Sequence, residues 1–173
     1  MRKKIFLIAV VVCISCNGIR FLYELLKHKN LIKANQFTLS IIFTNMALLW
    51  VSWTVLCLND IHRVELVDSI RYVGISFVGI GLLVFLMALF TIKTFESYEG
   101  DLITKGIYSK IRHPMYLGFI FWLIGLPIYA GALSAFILAF VFVANVLFWR
   151  CLEEKELLER FSTYKDYKKT TLF

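Results

Sequence analysis

The stretch PMYLGFIFWLIGLPIYAGALSAFILAFVFVANVLFW, residues 114–149, contains no charged side chain, and it decides the fold. As one straight α-helix at 1.5 Å per residue it would be roughly 54 Å long, well beyond a bilayer core of about 30 Å. The stretch must therefore fold back on itself. Because Gly125, Pro127 and Gly131 lie near its middle, we predict a tight helical hairpin with legs at residues 114–130 and 131–149.

Three further apolar windows precede this hairpin. The chain has 173 residues, of which 60% are hydrophobic and 18% charged, a composition too apolar for a soluble domain of this size. Arg20 interrupts the first window, but its apolar stem can lie in lipid while its guanidinium reaches the interface. The sequence therefore predicts an all-α polytopic membrane protein, one domain over residues 1–173, with about five transmembrane helices. The predicted spans are residues 5–26, 37–58, 72–92, 114–130 and 131–149.

Small and amide side chains inside these spans predict how the helices pack. Gly74, Gly79 and Gly81 let a neighbouring helix or a ligand approach the backbone of the third span. Asn45 and Asn145 are the strongly polar residues deep within spans, and we expect each to form an interhelical hydrogen bond. The CISC motif at residues 13–16 fits a lipoprotein cleavage site poorly, so we expect the first span to be retained.

The basic residues predict the orientation of the chain in the membrane. Of the 19 Lys and Arg residues, only five lie on the side of the N-terminus and the second loop: Arg2, Lys3, Lys4, Arg63 and Arg71. The side with the larger number faces the cytoplasm by the positive-inside rule. We therefore expect an integral protein of a bacterial inner membrane, with its N-terminus outside and its C-terminus in the cytoplasm.

Charge and cysteine content exclude two other classes of function. The net charge is +7, but the chain has no soluble basic domain on which nucleic acid could lie, so we expect no nucleic-acid partner. The four cysteines are scattered through the chain, and His28 and His62 lie far apart in sequence. Neither pattern predicts a disulfide framework or a metal site.

Polar residues flank the hairpin at both ends. RHPMY at residues 112–116 lies at the start of its first leg. Pro114 suits the first turn of that helix, so the free backbone N–H groups next to His113 favour an anionic group. Arg150, Glu153 and Glu154 follow the second leg, in a tail that we predict to be an amphipathic cytosolic helix along the membrane or over the third loop. Antiparallel legs bring both clusters together. The alternative is an ordinary juxtamembrane segment whose basic and tyrosine side chains meet lipid head groups.

A family resemblance rests on these same residues. GIY at residues 106–108, RHPMYLG at residues 112–118 and EE at residues 153–154, followed by Leu157, closely resemble motifs of the isoprenylcysteine carboxyl methyltransferase and phospholipid methyltransferase superfamily. Phe161, Tyr164 and Tyr167 extend the pattern, which covers about residues 79–167 with the catalytic region at about residues 93–167. GIG at residues 79–81 resembles a GxG element of the phospholipid branch, although such an element more often serves helix packing.

The resemblance implies S-adenosylmethionine as the methyl donor, bound at the cytosolic face, and a lipid-like or prenylated acceptor. It implies that Arg150, near the family arginine that faces the substrate carboxylate, is catalytic. Glu153 or Glu154 would pair with the methionyl ammonium of the donor. The residues implied to contact the donor are Leu102, Ile103, Tyr108, His113, Pro114, Met115, Tyr116, Glu153 and Glu154.

Three functions remain open at this point. An acceptor of the isoprenylcysteine carboxyl type is already ionised near neutral pH, whereas a phospholipid amine acceptor needs a group that removes a proton. The third possibility is a non-catalytic membrane scaffold or a transport component. A transporter is expected to show broken helices or ionisable groups at mid-membrane, and the sequence has neither pattern. The sequence leaves the oligomeric state open.

Overall fold

The computed structural model describes residues 1–29, 31–32, 35–92 and 101–173, and within them the chain is α-helical with a single 3-10 turn at Gly106–Ser109. Residues 93–100, which include the start of the predicted catalytic region, lie outside the described residues. Four helices are long and apolar enough to cross a bilayer, and a fifth apolar helix, Pro114–Ala130, is shorter. The all-α membrane architecture is thereby confirmed. The helices are α1 (Arg2–His28), α2 (Gln36–Asn59), α3 (Asp68–Ile92), α4 (Pro114–Ala130), α5 (Leu133–Arg160) and α6 (Tyr164–Thr170).

The predicted helical hairpin is formed by α4 and α5, but its turn is shorter than predicted. Gly131 and Ala132 connect the two helices, and Gly131 has a positive φ of 62° that favours glycine. Gly125 and Pro127 lie inside α4. The helix continues past them, and its last turn is completed by the N–H groups of Gly131 and Ala132, which donate to the carbonyl oxygens of Ile128 and Pro127, respectively. The prediction that all three residues break the helix was therefore wrong for Gly125 and Pro127.

The loop between α2 and α3 fastens this hairpin turn. Asp60 is fully buried, and its carboxylate accepts hydrogen bonds from the backbone N–H groups of His62 (2.9 Å) and Ala135 (2.8 Å). Arg63 donates to the carbonyl oxygen of Ala130 (2.9 Å), and the Val64 N–H donates to that of Gly131 (2.9 Å). These bonds satisfy backbone groups at the end of α4 and the start of α5 that would otherwise lack partners.

Replacing the buried carboxylate in this loop should destabilise the protein. Asp60→Ala leaves two backbone N–H groups without their acceptor, and we expect a loss of about 2 to 3 kcal/mol in the free energy of unfolding. Thermal unfolding of the detergent-purified protein measures the loss. Asp68→Ala, which removes an exposed carboxylate of the same type in the first turn of α3, is the control. Equal melting temperatures for the two variants would contradict the assignment.

Glycines bring α3 and α4 into very close contact. Gly74 of α3 faces Gly125 of α4, and Gly81 of α3 faces Gly118 of α4. The two glycines on each helix are seven residues apart, as expected for one face of two antiparallel helices. A Cβ atom added at Gly81 would lie 2.8 Å from the carbonyl oxygen of Gly118. Gly79, in contrast, has no atom within 4 Å of an added Cβ. Only one glycine of the GIG element therefore packs against α4.

Amide side chains join α1 to its neighbours. The Asn45 amide donates to the carbonyl oxygen of Cys16 (3.0 Å), and the Asn145 amide donates to the side-chain oxygen of Asn17 (3.3 Å). Both asparagines thus form the interhelical hydrogen bonds that the sequence predicted, α2 to α1 and α5 to α1. They fix the depth of α1 against the hairpin.

The charged tail of the chain begins as a continuation of α5. This helix runs without interruption through the predicted span and on to Arg160, so the residues after 149 extend the span and do not form a separate helix along the membrane. The short α6 then turns back over the 3-10 turn at Gly106–Ser109, where the Tyr167 hydroxyl donates to the carbonyl oxygen of Tyr108 (2.6 Å). The predicted covering of the third loop is provided by α6.

Candidate active site

A cleft of about 2050 Å³ opens beside the polar start of α4. Residues of α1, α2, α3, α4, α5 and α6 line it, together with the segment that precedes α4. A pocket for one small molecule usually measures roughly 300–1,000 Å³. The cleft therefore has room for two reactants side by side.

His113 lies between two carboxylates at the polar end of this cleft. It precedes Pro114, the first residue of α4, and its ring is buried. Its Nδ1 atom lies 3.7 Å from Oε2 of Glu153, and its Nε2 atom lies 3.5 Å from Oε1 of Glu154. The Tyr164 hydroxyl is 3.4 Å from the same Nε2. The ring thus links the entrance of the hairpin to its exit, as the antiparallel arrangement of the two polar clusters requires.

The two adjacent glutamates of α5 have different environments. Glu153 lines the cleft with 42% of its side chain exposed, and it accepts a hydrogen bond from the Tyr116 hydroxyl. Glu154, with only 10% of its side chain exposed, lies 2.6 Å from the Lys168 ammonium and 3.4 Å from Nε of Arg112. Successive side chains of a helix point about 100° apart, so one carboxylate faces the cleft and its neighbour faces α6.

Arg112 holds the end of the chain against the start of α4. Its Nη1 atom donates to the carbonyl oxygens of Lys168 (3.0 Å) and Thr171 (2.5 Å). The backbone N–H of Arg112 donates to the carbonyl oxygen of Leu172, whose own N–H donates to that of Lys110 (2.8 Å). These bonds, together with the Lys168 pairing of Glu154, make Arg112 and Glu154 members of one polar network, in which Arg112 also lines the cleft.

The tyrosines around the cleft remain protonated at neutral pH. Burial raises the pKa of the Tyr108 phenol, and the negative charge of Glu153 adds to this effect. Burial likewise raises the pKa of Tyr164, and the neighbouring Glu154 acts in the same direction. Both phenols therefore serve as hydrogen-bond donors, and neither supplies a phenolate base at neutral pH.

Comparison with known proteins places the chain in a family. Residues 70–165, more than half of its length, match the family model described as phospholipid methyltransferase. The chain belongs to the phospholipid methyltransferase family. The matched region begins in α3 and ends in α6, so it includes the whole segment around His113 and both glutamates of α5. The superfamily resemblance inferred from the motifs is confirmed.

One curated relative of this methyltransferase carries a more specific name. The chain is 39% identical over 79 residues to the protein-S-isoprenylcysteine O-methyltransferase of Saccharomyces cerevisiae. That match covers 44% of this chain and 33% of the yeast protein, so the chain spans about a third of the length of that protein. No solved structure matches the chain.

The structure of this family member brings most of the residues implied by the resemblance to the cleft. Pro114 is buried behind it as the first residue of α4, and Glu154 lies in the network with Arg112. Neither of these two is among the lining residues. The predicted residues that line the cleft are Leu102, Ile103, Tyr108, His113, Met115, Tyr116 and Glu153.

Arg150 lies away from the cleft of this methyltransferase. It shares the face of α5 that carries Glu154, four residues on, and its guanidinium lies over the ring of Phe173 at 4.6 Å. Its predicted contact with the acceptor therefore has no support in the arrangement of the described residues.

The sequence interpretation did not predict a functional role for Arg20 and Glu24, a charged pair of α1. Arg20 lines the cleft, and its Nη2 atom lies 2.5 Å from Oε1 of Glu24. The sequence interpretation placed Arg20 at the lipid interface. An Arg and a Glu four residues apart inside an apolar helix form the signal that points to a functional pair, because ionisable groups in such helices usually face the protein interior.

Proposed function

We propose that this family member transfers a methyl group from S-adenosylmethionine to a lipid-like acceptor at the membrane surface, as an isoprenylcysteine carboxyl O-methyltransferase does. The observation that carries the proposal is the position of Glu153, whose partly exposed carboxylate lies beside His113 at the polar end of the cleft. The family membership supports methyl transfer, and the partial match to the yeast enzyme supports a prenylated carboxylate as the acceptor.

The side chains at the polar end of the cleft fit such a donor. Glu153 offers a carboxylate to the methionyl ammonium, and the His113 and Tyr116 contacts hold that carboxylate in place. Aromatic rings attract a positively charged group such as a sulfonium, and Tyr108 and Tyr167 supply them here. Leu102, Ile103 and Met115 provide apolar contacts. Pro114 and Glu154 support the site from behind by setting the start of α4 and the position of His113.

The chain contributes orientation and exclusion of water. S-adenosylmethionine, when bound, would supply an activated methyl group on its sulfonium, and transfer of that group to an acceptor oxygen or nitrogen would leave the electron pair of the S–C bond on the sulfur. Holding two reactants in line contributes up to about 7 to 11 kcal/mol to such a displacement. A carboxylate acceptor needs no base, so the protonated state of Tyr108 and Tyr164 is no obstacle to the carboxyl reaction.

The apolar part of the cleft suits a hydrocarbon chain. Trp50 of α2 lies against Phe119 of α4, with ring centroids 4.6 Å apart, and Phe119 lies 5.4 Å from Phe85 of α3. All three residues line the cleft. Of the helices that carry them, α2 and α3 are long enough to cross a bilayer, and α4 is a shorter apolar helix. A lipid-like acceptor can therefore keep its chain in an apolar environment while its head group lies near Glu153.

The membrane orientation follows from the positive-inside rule. We propose that the cleft and the C-terminus lie on the cytoplasmic side of a bacterial inner membrane, with the N-terminus outside, because 14 of the 19 Lys and Arg residues lie on the side of the cleft. A water-soluble donor could then enter directly from the cytosol.

Phospholipid amine N-methylation is the second candidate function. The description of the matching family, phospholipid methyltransferase, favours it. The two functions differ in the bond that is formed. Membranes containing the protein are incubated with methyl-labelled donor: base-labile label indicates methyl esters and supports the carboxyl reaction, whereas base-stable label in lipid head groups supports the amine reaction.

Donor binding is tested separately from the acceptor. Isothermal titration of the detergent-purified protein with S-adenosylhomocysteine should show binding by the wild type and weaker binding by His113→Ala, since that substitution removes the ring that holds Glu153. Absence of binding by the folded wild type would overturn the enzyme proposal and favour a non-catalytic scaffold or transport component.

A further inference from the structure

Arg20 lines the cleft from α1, the first helix of the chain, and forms a charged pair with Glu24. They lie one turn apart on α1, and only 17% and 11% of their side chains are exposed. The guanidinium of Arg20 lies over two aromatic rings, at 5.4 Å from the ring centre of Trp149 and 5.6 Å from that of Tyr23. Contacts on three sides hold the Arg20 side chain in one orientation.

One N–H group of this guanidinium is unused. The Nε atom of Arg20 is buried and has no hydrogen-bond partner among the described residues. An arginine side chain carries five N–H groups and no acceptor, so the missing partner is an electron-rich atom such as an anionic oxygen. Leaving a buried charged donor unpaired is unfavourable, and a bound oxygen at this position would remove that penalty.

The pair lies next to the proposed donor site. Trp149, under the Arg20 guanidinium, is one turn before Glu153 on α5. Tyr116 donates to Glu153 and also interacts electrostatically with Arg20 and Glu24. An anionic group bound to Arg20 would therefore lie near both Tyr116 and the Glu153 carboxylate.

A second ion pair fixes α1 at this end of the cleft. The Lys27 ammonium, two turns after Arg20, lies 3.0 Å from Oε2 of Glu156 on α5. Together with the Asn17–Asn145 hydrogen bond, this contact attaches α1 to α5 on both sides of the Arg20 pair. The position of Arg20 relative to Glu153 is thus set by the packing of the two helices.

We propose that Arg20, oriented by Glu24, binds the anionic oxygen group of the methyl acceptor and so selects acceptors that carry one. This inference rests on the proposed methyl transfer and names the class of acceptor. The shared chemistry is an anionic oxygen, either the carboxylate of a prenylated cysteine or the phosphodiester of a phospholipid. Arg20 lines the cleft, whereas Arg150 does not. Arg20 also lies outside the region matched by the family model.

Initial rates with two acceptors test the proposal. The purified protein is saturated with S-adenosylmethionine, and the acceptor is either N-acetyl-S-farnesylcysteine or phosphatidylethanolamine in mixed micelles. Arg20→Gln should raise the KM of the acceptor by about 10- to 100-fold, since it removes a charge-assisted hydrogen bond. Arg20→Lys keeps the charge and should recover part of the loss. A rise with the farnesylated acid identifies a carboxylate, and a rise with the phospholipid identifies a phosphodiester.

The matched control is Arg71→Gln. Arg71 also lies over an aromatic ring, that of Tyr129 at 5.8 Å, but it does so near the hairpin turn. The Kd for S-adenosylhomocysteine should be unchanged in both glutamine variants, which separates acceptor binding from a general structural role. Arg20→Gln leaves the Glu24 carboxylate without its partner, so rates are measured at a temperature at which this variant is folded. An acceptor KM for Arg20→Gln equal to that of Arg71→Gln overturns the proposal. So does a wild type that binds S-adenosylhomocysteine but methylates neither acceptor, whereas loss of that binding refutes the proposed function itself.

Discussion

Glu153→Gln is expected to weaken the binding of S-adenosylhomocysteine by about 10- to 150-fold, which corresponds to the 1.5 to 3 kcal/mol of a hydrogen bond between charged groups. The substitution keeps the size of the side chain and removes its negative charge, which we propose as the partner of the methionyl ammonium. The exposed fraction of Glu153, 42%, leaves its carboxylate accessible from the cleft. Calorimetric titration of the detergent-purified protein measures the change.

Two further glutamine variants make this result specific. Glu65→Gln, at an exposed position in the loop near the hairpin turn, should bind like the wild type. Glu154→Gln loses the charge that pairs with Lys168 and Arg112, so it should lower the melting temperature more than Glu153→Gln does. If Glu154→Gln abolished binding at an unchanged melting temperature while Glu153→Gln bound normally, the roles proposed for the two residues would be reversed.

The positions of the helices could be predicted from the sequence because lipid imposes a simple condition on it. Uncharged windows of sufficient length must be helical where they cross a bilayer, and the run at residues 114–149 is too long for one crossing. The same condition places His113 and Glu153 at one end of a hairpin. The turn itself was less predictable, because Gly125 serves the contact with α3 and only Gly131 adopts a positive φ.

The rotation of α5 about its axis could not be predicted in the same way. Glu153 and Glu154 are adjacent in sequence, and the resemblance alone does not say which carboxylate faces the donor. Burial of Trp149 and Leu152 in the described structure sets that rotation and turns Glu153 toward the cleft. It also turns Arg150 toward Phe173, which is why its implied role finds no support.

Arg20 shows a different limit of sequence reasoning. An Arg near the end of an apolar window is compatible with snorkelling to the lipid surface. Glu24, four residues later, indicates an ion pair but does not by itself distinguish the lipid surface from a buried position. The distinction comes from Trp149, 129 residues later, whose ring lies under the guanidinium. Only the packing of α1 on α5 reveals that Arg20 faces the cleft.

Gly81→Val is expected to lower the free energy of unfolding by about 3 kcal/mol, near the upper end of the usual cost of overpacking. An added Cβ atom would lie 2.8 Å from the carbonyl oxygen of Gly118 and 2.9 Å from Cβ of Phe121, so α3 and α4 would have to separate. Thermal unfolding should show a decrease of roughly 6 to 12 °C in the melting temperature for a change of this size. Because Gly118 lies only four residues after Pro114, we also expect weaker binding of S-adenosylhomocysteine.

Gly79→Val is the control two residues away on the same helix. Its side chain would enter open space, and valine has a slightly higher helix propensity than glycine, so we expect the melting temperature to be unchanged or slightly higher. The pair of variants separates two interpretations of the GIG element at residues 79–81. If the element serves helix packing, only Gly81→Val changes stability, and donor binding declines with it. If it contacts the donor directly, Gly79→Val weakens S-adenosylhomocysteine binding at an unchanged melting temperature, and the close contact between Gly81 and Gly118 would then explain only half of the element.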